Sequence, residues 1–352
     1  MPKETMTPRE RWEAVLRREK PDRVPMGYSA TAEASEKLVR HLGVGTLEDA
    51  FDRLHVDRVI GCDGRYVGPK PPEGEDIFGC RYRNVSYATG VYWECVRNPL
   101  ARYTSVEEIE QSYTWPSPDW WDCSHIADDL RGKDHLPACG PSVSPFMWYG
   151  YLRGLAQSLA DFIEHPDIAD YCIDKLSGLD YRRMERILDA VPGRMLFSYV
   201  ADDFGSQESM LMSPEMVRRL YLPRAKRFVD LLHGAGVYAF HHDDGAIRPI
   251  IPDLVAIGFD ALNPIQWRCR GMDRAELKRD FGAKLVFHGG MDNQRTIPFG
   301  TVEDVRREVI DNLSILGAGG GYILAPCHNI QAVGPAENVV AMYETGYEEG
   351  WT

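Results

Sequence analysis

The segment that decides the fold is residues 195–242, MLFSYVADDFGSQESMLMSPEMVRRLYLPRAKRFVDLLHGAGVYAFHH. It begins with the apolar run 195–201 and ends with a second apolar run, 237–242, and each has the length of a buried strand. Between them, residues 214–233 have the apolar spacing of a helix, and Ser213 is placed to cap its first turn. A strand, a helix and a strand in this order predict two parallel strands joined by a right-handed crossover.

The same alternation extends along the chain on both sides of this unit. Six further apolar runs are predicted as strands, with helical patterns between them. These runs are residues 23–28, 56–61, 136–142, 259–264, 284–288 and 321–326. Eight parallel strands with intervening helices close most economically into an α/β (β/α)8 TIM barrel. The alternative, an open doubly wound sheet, is disfavoured because no glycine-rich dinucleotide turn follows the first strand.

One stretch departs from this alternation. Residues 76–96 alternate aromatic or β-branched residues with polar ones around Ala88-Thr89-Gly90, which is typical of a β-hairpin. Together with the tryptophan-rich residues 115–121, it is interpreted as an insertion of about residues 76–121 after the second strand. The whole chain, 1–352, is therefore predicted to be a single TIM-barrel domain.

Composition limits the classes of partner and the compartment. The chain has 40 Lys and Arg against 53 Asp and Glu, a formal net charge of -13. This balance argues against nucleic acid or an anionic membrane as a partner, and against a highly anionic substrate unless a local basic pocket overrides the global field. No signal-like segment, membrane-spanning apolar run or CxxC pair is present, which favours a cytoplasmic protein.

Polar residues are concentrated where the predicted strands end. In a parallel barrel the carboxyl ends of the strands share one rim, and that rim is where active sites form. The candidates, in chain order, are Asp63, Asp202, Asp203, His241, His242, Asp243, Asp244, Asn263, Gln266, His288, Asp292, Cys327 and His328. So many titratable groups at one rim favour an enzyme over a protein that only binds a ligand.

The fifth strand ends in the richest of these clusters, His241-His242-Asp243-Asp244-Gly245. Because side chains alternate along a strand, either His242 and Asp244 or His241 and Asp243 point together into the rim. An imidazole and a carboxylate at this spacing suit a metal, with Cys327 as a third ligand, and zinc accepts all three donor types. The alternative is that these groups bind substrate, or one another, without a metal.

Several motifs resemble one known family. Residues 6–12 (MTPRERW) and 21–25 (PDRVP) are similar to the amino end of uroporphyrinogen-decarboxylase-like proteins. The same holds for 213–215 (SPE) leading to Leu222-Pro223, 288–292 (HGGMD), 321–331 (GYILAPCHNIQ) and 335–339 (PAENV). The resemblance spans nearly the whole chain and is weakest in residues 76–121. It implies one of two activities: porphyrinogen decarboxylation without a cofactor, or methyl transfer involving a corrinoid protein.

Two departures from the family's patterns separate these activities. True decarboxylases carry an arginine-rich stretch after the first strand, where this chain reads Gly27-Tyr28-Ser29-Ala30-Thr31. A substrate with many carboxylates needs such cations, so porphyrinogen decarboxylation is disfavoured. Thiol-activating methyltransferases of the family hold zinc with a His-x-Cys motif and a later cysteine. Here His242 and Cys327 match, but Asp244 replaces the first cysteine, which favours the members that demethylate small substrates.

The resemblance and the residues together predict a methyltransferase that moves a methyl group between a small methylated substrate and a corrinoid protein. The methyl donor would be a methoxylated aromatic, a methylamine or a similar molecule, and relatives often pair, so a homodimer is an expectation. The predicted catalytic residues are Asp202, Asp203, His241 and His288; the predicted metal ligands are His242, Asp244 and Cys327; the predicted substrate-binding residues are Tyr28, Asp63, Asn263, Gln266, Asp292 and His328. The runner-up is a cofactor-free decarboxylase of a small acid that uses Asp203 and His288 as acid–base groups.

Overall fold

The computed structural model describes residues 3–87 and 90–352. Its strands are β1 (Ile60–Gly61), β2 (Arg65–Tyr66), β3 (Arg81–Tyr87), β4 (Gly90–Arg97), β5 (Trp121–Asp122), β6 (Ala138–Cys139), β7 (Met195–Ala201), β8 (Tyr238–His242), β9 (Ala261–Asn263), β10 (Val286–Met291) and β11 (Tyr322–Pro326). Its helices are α1 (Pro8–Leu16), α2 (Ala32–Leu42), α3 (Leu47–Arg53), α4 (Val106–Ser112), α5 (Ile126–Asp129), α6 (Pro145–Arg153), α7 (Leu155–Glu164), α8 (Pro166–Ala190), α9 (Pro214–Leu220), α10 (Leu222–Gly234), α11 (Ile251–Ile257), α12 (Arg274–Phe281), α13 (Thr296–Phe299), α14 (Val302–Ile315) and α15 (Ala336–Glu349).

Seven strands form one curled parallel sheet, in the order β1-β6-β7-β8-β9-β10-β11. Every neighbouring pair in it is parallel, so all the carboxyl ends lie along one rim. In the register, Ala201 lies beside His242 and His242 beside Asn263. The predicted α/β class and the parallel sheet are confirmed, and residues far apart in sequence meet at this rim.

The predicted first strand, residues 23–28, is not a regular strand. Within the described residues it forms one bridge to the sheet, a parallel one between Met26 and Leu324. Pro25 has no N–H to give, and the Met26 N–H is bonded to the Asp57 carboxylate at 2.8 Å instead of to a strand. The described residues therefore give seven sheet strands where the sequence predicted eight.

Helix starts follow the predicted caps. Ser213 accepts from the backbone N–H of Met216 at the start of α9. The single helix predicted over 214–233 is divided in two at Tyr221, because Pro223 has no N–H for the preceding turn and its ring crowds the helix.

Aromatic residues fill the inside of the curled sheet. Trp12 of α1 is buried and stacks on Phe197 of β7, with 5.0 Å between ring centroids. Phe240 of β8 continues this stack at 4.5 Å from Phe197. Helix α1 thus closes one end of the sheet, and the opposite end stays open at the carboxyl rim.

A buried ion-pair cluster connects α1 to the segment beside the sheet. The side chain of Asp57 has no exposed surface and bonds the guanidinium groups of Arg11 and Arg23, the second at 2.8 Å. Arg11 also bonds Asp22 at 2.6 Å. Because Asp57 additionally accepts from the Met26 N–H, one carboxylate holds both arginines and this backbone segment in place.

The predicted hairpin region contains two antiparallel strands. Strands β3 and β4 pair with Val85 opposite Tyr92, while the predicted turn residues Ala88 and Thr89 lie outside the described residues. The tryptophan-rich segment places Trp121 in β5, opposite Tyr66 of β2. In the part of the chain that the structure describes, no helix has both the length and the apolar character to cross a membrane.

Candidate active site

A cavity of about 480 Å³ opens at the carboxyl rim of the sheet. Its lining comes from nearly every strand of the sheet and from the segment after residue 26. The lining residues are Trp12, Gly27, Tyr28, Ser29, Val59, Cys139, Ser142, Phe197, Tyr199, His242, Asn263, His288, Ala325, Pro326, Cys327, His328 and Asn329. Of the predicted site residues, this brings together Tyr28, His242, Asn263, His288, Cys327 and His328.

Strand alternation separates the two neighbouring histidines. His242 lines the cavity, whereas His241 is fully buried on the opposite face of β8. There its Nδ1 donates to the Val200 carbonyl oxygen at 3.0 Å and lies 3.0 Å from the Tyr221 hydroxyl. Burial lowers the pKa of His241 to about 3, so it stays neutral. The prediction that His241 acts in catalysis is corrected: it packs the sheet against α10.

The two aspartates after β7 diverge in the same way. Asp202 is buried and accepts hydrogen bonds from the backbone N–H groups of Phe146 and Met147, at 3.3 and 2.8 Å, at the start of α6. Burial raises the pKa of Asp202 well above its usual range. Its predicted catalytic role is corrected, because the side chain caps a helix and does not line the cavity. Asp203 points to the rim, where its Oδ1 accepts from the Asp244 N–H at 3.1 Å.

Asp243 also accepts hydrogen bonds from the backbone and does not line the cavity. It is buried and accepts from the N–H groups of Phe204 and Gly205, at 2.8 and 3.2 Å. Burial raises the pKa of its carboxyl well above the usual range. Of the two pairs that alternation allowed, the structure therefore brings His242 and Asp244, and not His241 and Asp243, to the rim.

Three ligand-type side chains converge there. Asp203, His242 and Asp244 each offer one atom, and these atoms all lie within 4.8 Å of one another. The Oδ1 atom of Asp244 is buried and has no hydrogen-bond partner among the described residues. A buried carboxylate oxygen without a partner is costly, and a cation would supply the missing interaction. One imidazole nitrogen and two carboxylate oxygens are a donor set that zinc accepts in open catalytic sites.

Asn263 fixes the orientation of the histidine in this group. Its Nδ2 lies 3.3 Å from the His288 carbonyl oxygen, which can only accept, so the amide nitrogen faces His288. The amide oxygen then faces His242, whose Nδ1 donates to it at 2.6 Å. With its proton on Nδ1, His242 keeps the lone pair of Nε2 for a metal or a proton. This support by a second residue is the usual arrangement around metal-binding histidines.

His288 completes the hydrogen-bonded chain. Its Nδ1 accepts from Asn263 Nδ2 at 2.9 Å and lies 3.3 Å from the Tyr199 hydroxyl. Burial lowers the pKa of His288 to about 3, so it stays neutral and carries its proton on Nε2. This Nε2 has no partner among the described residues, and a β-carbon on Gly27 would lie only 3.0 Å from it. Glycine at position 27 leaves room for the ring.

Cys327 lines the cavity but lies outside the ligand group. Its Sγ donates to the Ile265 carbonyl oxygen at 3.1 Å, and burial raises the pKa of the thiol well above its usual range. The structure groups Asp203, and not Cys327, with His242 and Asp244. The role of Cys327 as a metal ligand stays a prediction.

The remaining predicted residues lie in two places. Tyr28 and His328 belong to the cavity lining. Asp63, Gln266 and Asp292 do not. Asp63 forms an ion pair with Arg183 at 3.3 Å, and Asp292 forms one with Arg268. Gln266 accepts a hydrogen bond from the Gly245 N–H at 2.9 Å. Their roles in substrate binding stay predictions.

Sequence reasoning missed the aromatic wall of the cavity. Trp12, Phe197 and Tyr199 all line it, and Tyr199 reaches His288. Positions 197 and 199 share one face of β7, so the period of two could have placed them together. It could not have shown that this face was the inner one.

Replacing the neighbouring aspartates separately is expected to give opposite phenotypes. Asp202→Ala leaves the N–H groups of Phe146 and Met147 without an acceptor, which should cost about 2 kcal/mol or more in the free energy of unfolding. Asp203→Ala removes an exposed side chain and should change stability little while weakening metal binding. Urea unfolding and zinc titration of both variants measure this. Equal stability losses would contradict the assignment.

Comparisons with known proteins agree on the fold. A methyltransferase from Methanosarcina mazei has a solved structure similar over 97% of this chain and 99% of that chain, with a TM-score of 0.71 and 18% identity. An IOLI protein with a binding zinc atom is only remotely similar, with a TM-score of 0.36 and 11% identity over 64% of this chain and 81% of that chain. No curated protein matches the sequence. The uroporphyrinogen decarboxylase (URO-D) family model matches residues 122–348, more than half of the chain, and the chain therefore belongs to this family.

Proposed function

We propose that the protein is a methyltransferase that moves a methyl group between a small methylated substrate and a corrinoid carried by a separate protein. The observation that carries this proposal is the composition of the cavity. It has a metal-ligand group at its rim, and no lysine or arginine occurs among its lining residues that the structure describes.

The missing cations argue against the family's decarboxylase substrate. A porphyrinogen carries many carboxylates, and burying them without partners would cost far more free energy than binding could return. A cavity of about 480 Å³ with walls of Trp12, Phe197 and Tyr199 suits a small, largely apolar molecule instead. Methoxylated aromatics and methylamines belong to this class.

The ligand group suits a metal that acts on a heteroatom. Asp203, His242 and Asp244 would hold zinc, which would supply Lewis acidity toward the oxygen or nitrogen that carries the methyl group. Carboxylates donate less charge than thiolates, so this set favours activation of an ether or amine over the holding of a thiol. That is why we place the protein among demethylating enzymes and not among those with thiol acceptors.

The chain's own residues would bind and orient the substrate. The aromatic wall holds the apolar part of the substrate, and the Nε2–H of His288 offers one buried donor to a polar group. Asn263 holds His242 in one orientation. With the closed end at Trp12, these contacts direct the methyl group toward the open rim, where the partner docks. Fixing donor and acceptor within attack distance removes much of the entropic barrier of a reaction between two proteins.

A second candidate is a decarboxylase of a small acid. The unpaired Nε2–H of His288 favours it, because one neutral donor is enough for a single carboxylate. Asp203 and His288 would then act in proton transfer. Release of CO₂ from small carboxylic acids, without any added corrinoid, would identify this activity.

The proposed reaction is tested by mixing the protein with zinc, a reduced corrinoid protein and candidate methyl donors. Methyl transfer should convert the Co(I) absorbance into that of methylated cobalt at a rate that depends on the enzyme. His242→Ala should abolish the change, and His135→Ala, which removes an exposed histidine that does not line the cavity, should preserve it. CO₂ release with no change at cobalt would overturn the proposal in favour of the decarboxylase.

Replacing Asn263 is expected to weaken the metal site without removing a ligand. In Asn263→Ala the His242 ring loses its acceptor, so zinc affinity should fall about 10–100-fold. Competition with a chelating dye measures the affinity. Asn329→Ala, at an exposed position of the same cavity, is the matched control and should keep the original affinity. An unchanged affinity in Asn263→Ala would show that the amide does not support the ligand.

A further inference from the structure

We propose that the protein has a second ligand site, outside the barrel cavity, that binds a phosphate-bearing small molecule. The site is a cavity of about 400 Å³ between the segments after β9 and β10 and the outer face of α14. It does not depend on the proposed methyl transfer, because it shares no lining residue with the cavity at the rim.

Four arginines line this cavity: Arg268, Arg274, Arg295 and Arg307. The chain as a whole has a net charge of -13, so this cluster opposes the global field. A local positive site on an acidic protein attracts anions that the rest of the surface repels. Arginine also matches the geometry of phosphate, since its fork of N–H donors binds two oxygens at once.

The two inner arginines are held in place by the protein. Arg274 donates to Asn312 at 2.6 Å, and Arg268 forms an ion pair with Asp292. Both guanidinium groups also stack on Trp267, each 4.1 Å from the ring centroid. These contacts fix the positive charges before any ligand arrives, which lowers the entropic cost of binding.

The two outer arginines remain available. The Arg295 side chain is exposed and has no hydrogen bond or ion pair among the described residues. Arg307 has only an exposed pair with Asp304 at 3.4 Å, and such pairs contribute little. A ligand would therefore meet one unpaired and one weakly paired guanidinium group, in addition to the two fixed ones.

The acidic residues of the lining do not cancel this charge fully. Asp304 already accepts from the N–H and the hydroxyl of Thr301, at 3.0 and 2.7 Å, as part of the cap of α14. Glu308 accepts from the Asp292 N–H at 2.6 Å and the Thr296 hydroxyl at 2.5 Å. Both carboxylates are thus engaged in holding the backbone of the site, and Glu308 also lies 3.6 Å from Arg268. The third acidic residue of the lining, Asp311, is half-exposed and lies 3.8 Å from Arg274, so the lining has four arginines against three carboxylates.

An exposed ring completes the site. Phe299 lines the cavity and is 73% exposed, so its ring is accessible to a ligand. An apolar ring beside four guanidinium groups fits a molecule that has both a phosphate and an organic part. The structure therefore assigns the site to a phosphate ester or diphosphate, and not to a metal or a purely apolar ligand.

Isothermal titration with inorganic pyrophosphate tests the anion part of this site. The full-length protein should bind it, and Arg295→Gln and Arg307→Gln should each weaken the affinity about tenfold or more, as expected for a charged hydrogen bond. Arg279→Gln is the matched control: it removes an exposed arginine of α12 that does not line the cavity, and it should bind like the unchanged protein.

Two results would overturn the proposal. One is the absence of any heat of binding with the unchanged protein. The other is the same weakening in Arg279→Gln as in the two cavity variants, because that would reveal only a general effect of charge. Circular dichroism of each variant checks folding. Because two cavity variants are measured, the test remains valid if one of them fails to fold. Neither result would decide the proposed methyl transfer, since its assay depends on His242 and not on these arginines.

Discussion

His242→Ala should strip the protein of bound zinc and of methyl transfer together. The variant removes the one nitrogen among the three ligand atoms and leaves two carboxylates close to each other without a cation between them. Loss of a residue that only supports a metal ligand costs about 10–100-fold in affinity, so loss of the ligand itself should cost more than about 100-fold. Elemental analysis after dialysis, together with a zinc titration, measures the effect.

The matched control is His328→Ala, a histidine that lines the same cavity but is exposed and lies outside the ligand group. It should retain zinc at the original stoichiometry. If His242→Ala also retained stoichiometric zinc, the metal would be bound elsewhere and the proposed site would be wrong. Because His242 is partly exposed, its loss should leave the unfolding transition nearly unchanged without metal, which separates a site defect from a folding defect.

The largest loss of stability is expected from Asp57→Ala. This change leaves the buried guanidinium groups of Arg11 and Arg23 without their shared carboxylate and removes the acceptor of the Met26 N–H. Breaking a buried ion pair by removing one partner costs about 3–5 kcal/mol, because the remaining charge stays buried. Urea unfolding followed by circular dichroism gives the difference in the free energy of unfolding.

Asp128→Ala provides the comparison for an exposed pair. Asp128 is bonded to Arg131, and both side chains are mostly exposed, so water replaces the lost interaction and the transition should scarcely move. A similarly small effect of Asp57→Ala would show that the buried cluster contributes little. A large effect would identify the carboxylate as the anchor of residues 23–28 beside the sheet.

The strands were predictable where the sequence has long apolar runs. Residues 195–201 and 321–326 were predicted as strands, and the structure places β7 and β11 there. Residues 23–28 were also predicted as a strand, but two facts prevent a regular one. Pro25 has no N–H, and the side chain of Asp57, which is distant in sequence, accepts the N–H of Met26. The second fact depends on tertiary contacts that periodicity does not reveal.

The site was predictable in position but only partly in detail. Parallel strands bring their carboxyl ends together, so the rim could be foreseen, and so could the alternation of neighbouring side chains. Which face of β8 is the inner one depends on the contact of His241 with Tyr221, a residue of the preceding helical segment. The hydrogen bond from Cys327 to the Ile265 carbonyl oxygen could likewise not be read from the sequence. Asp203 was predicted at the rim as a catalytic group, and its approach to His242 came only from the structure.

The stacking of Trp12 on Phe197 has a kinetic consequence. Because this indole closes the inner end of the cavity, the small donor and the partner protein of the proposed reaction would reach the cavity through the same opening. In the proposed reaction the donor would enter before the partner covers the opening, and the demethylated product would leave only after the partner dissociates. Turnover should therefore be ordered, and excess product should inhibit the reaction by occupying the cavity before the next partner molecule binds.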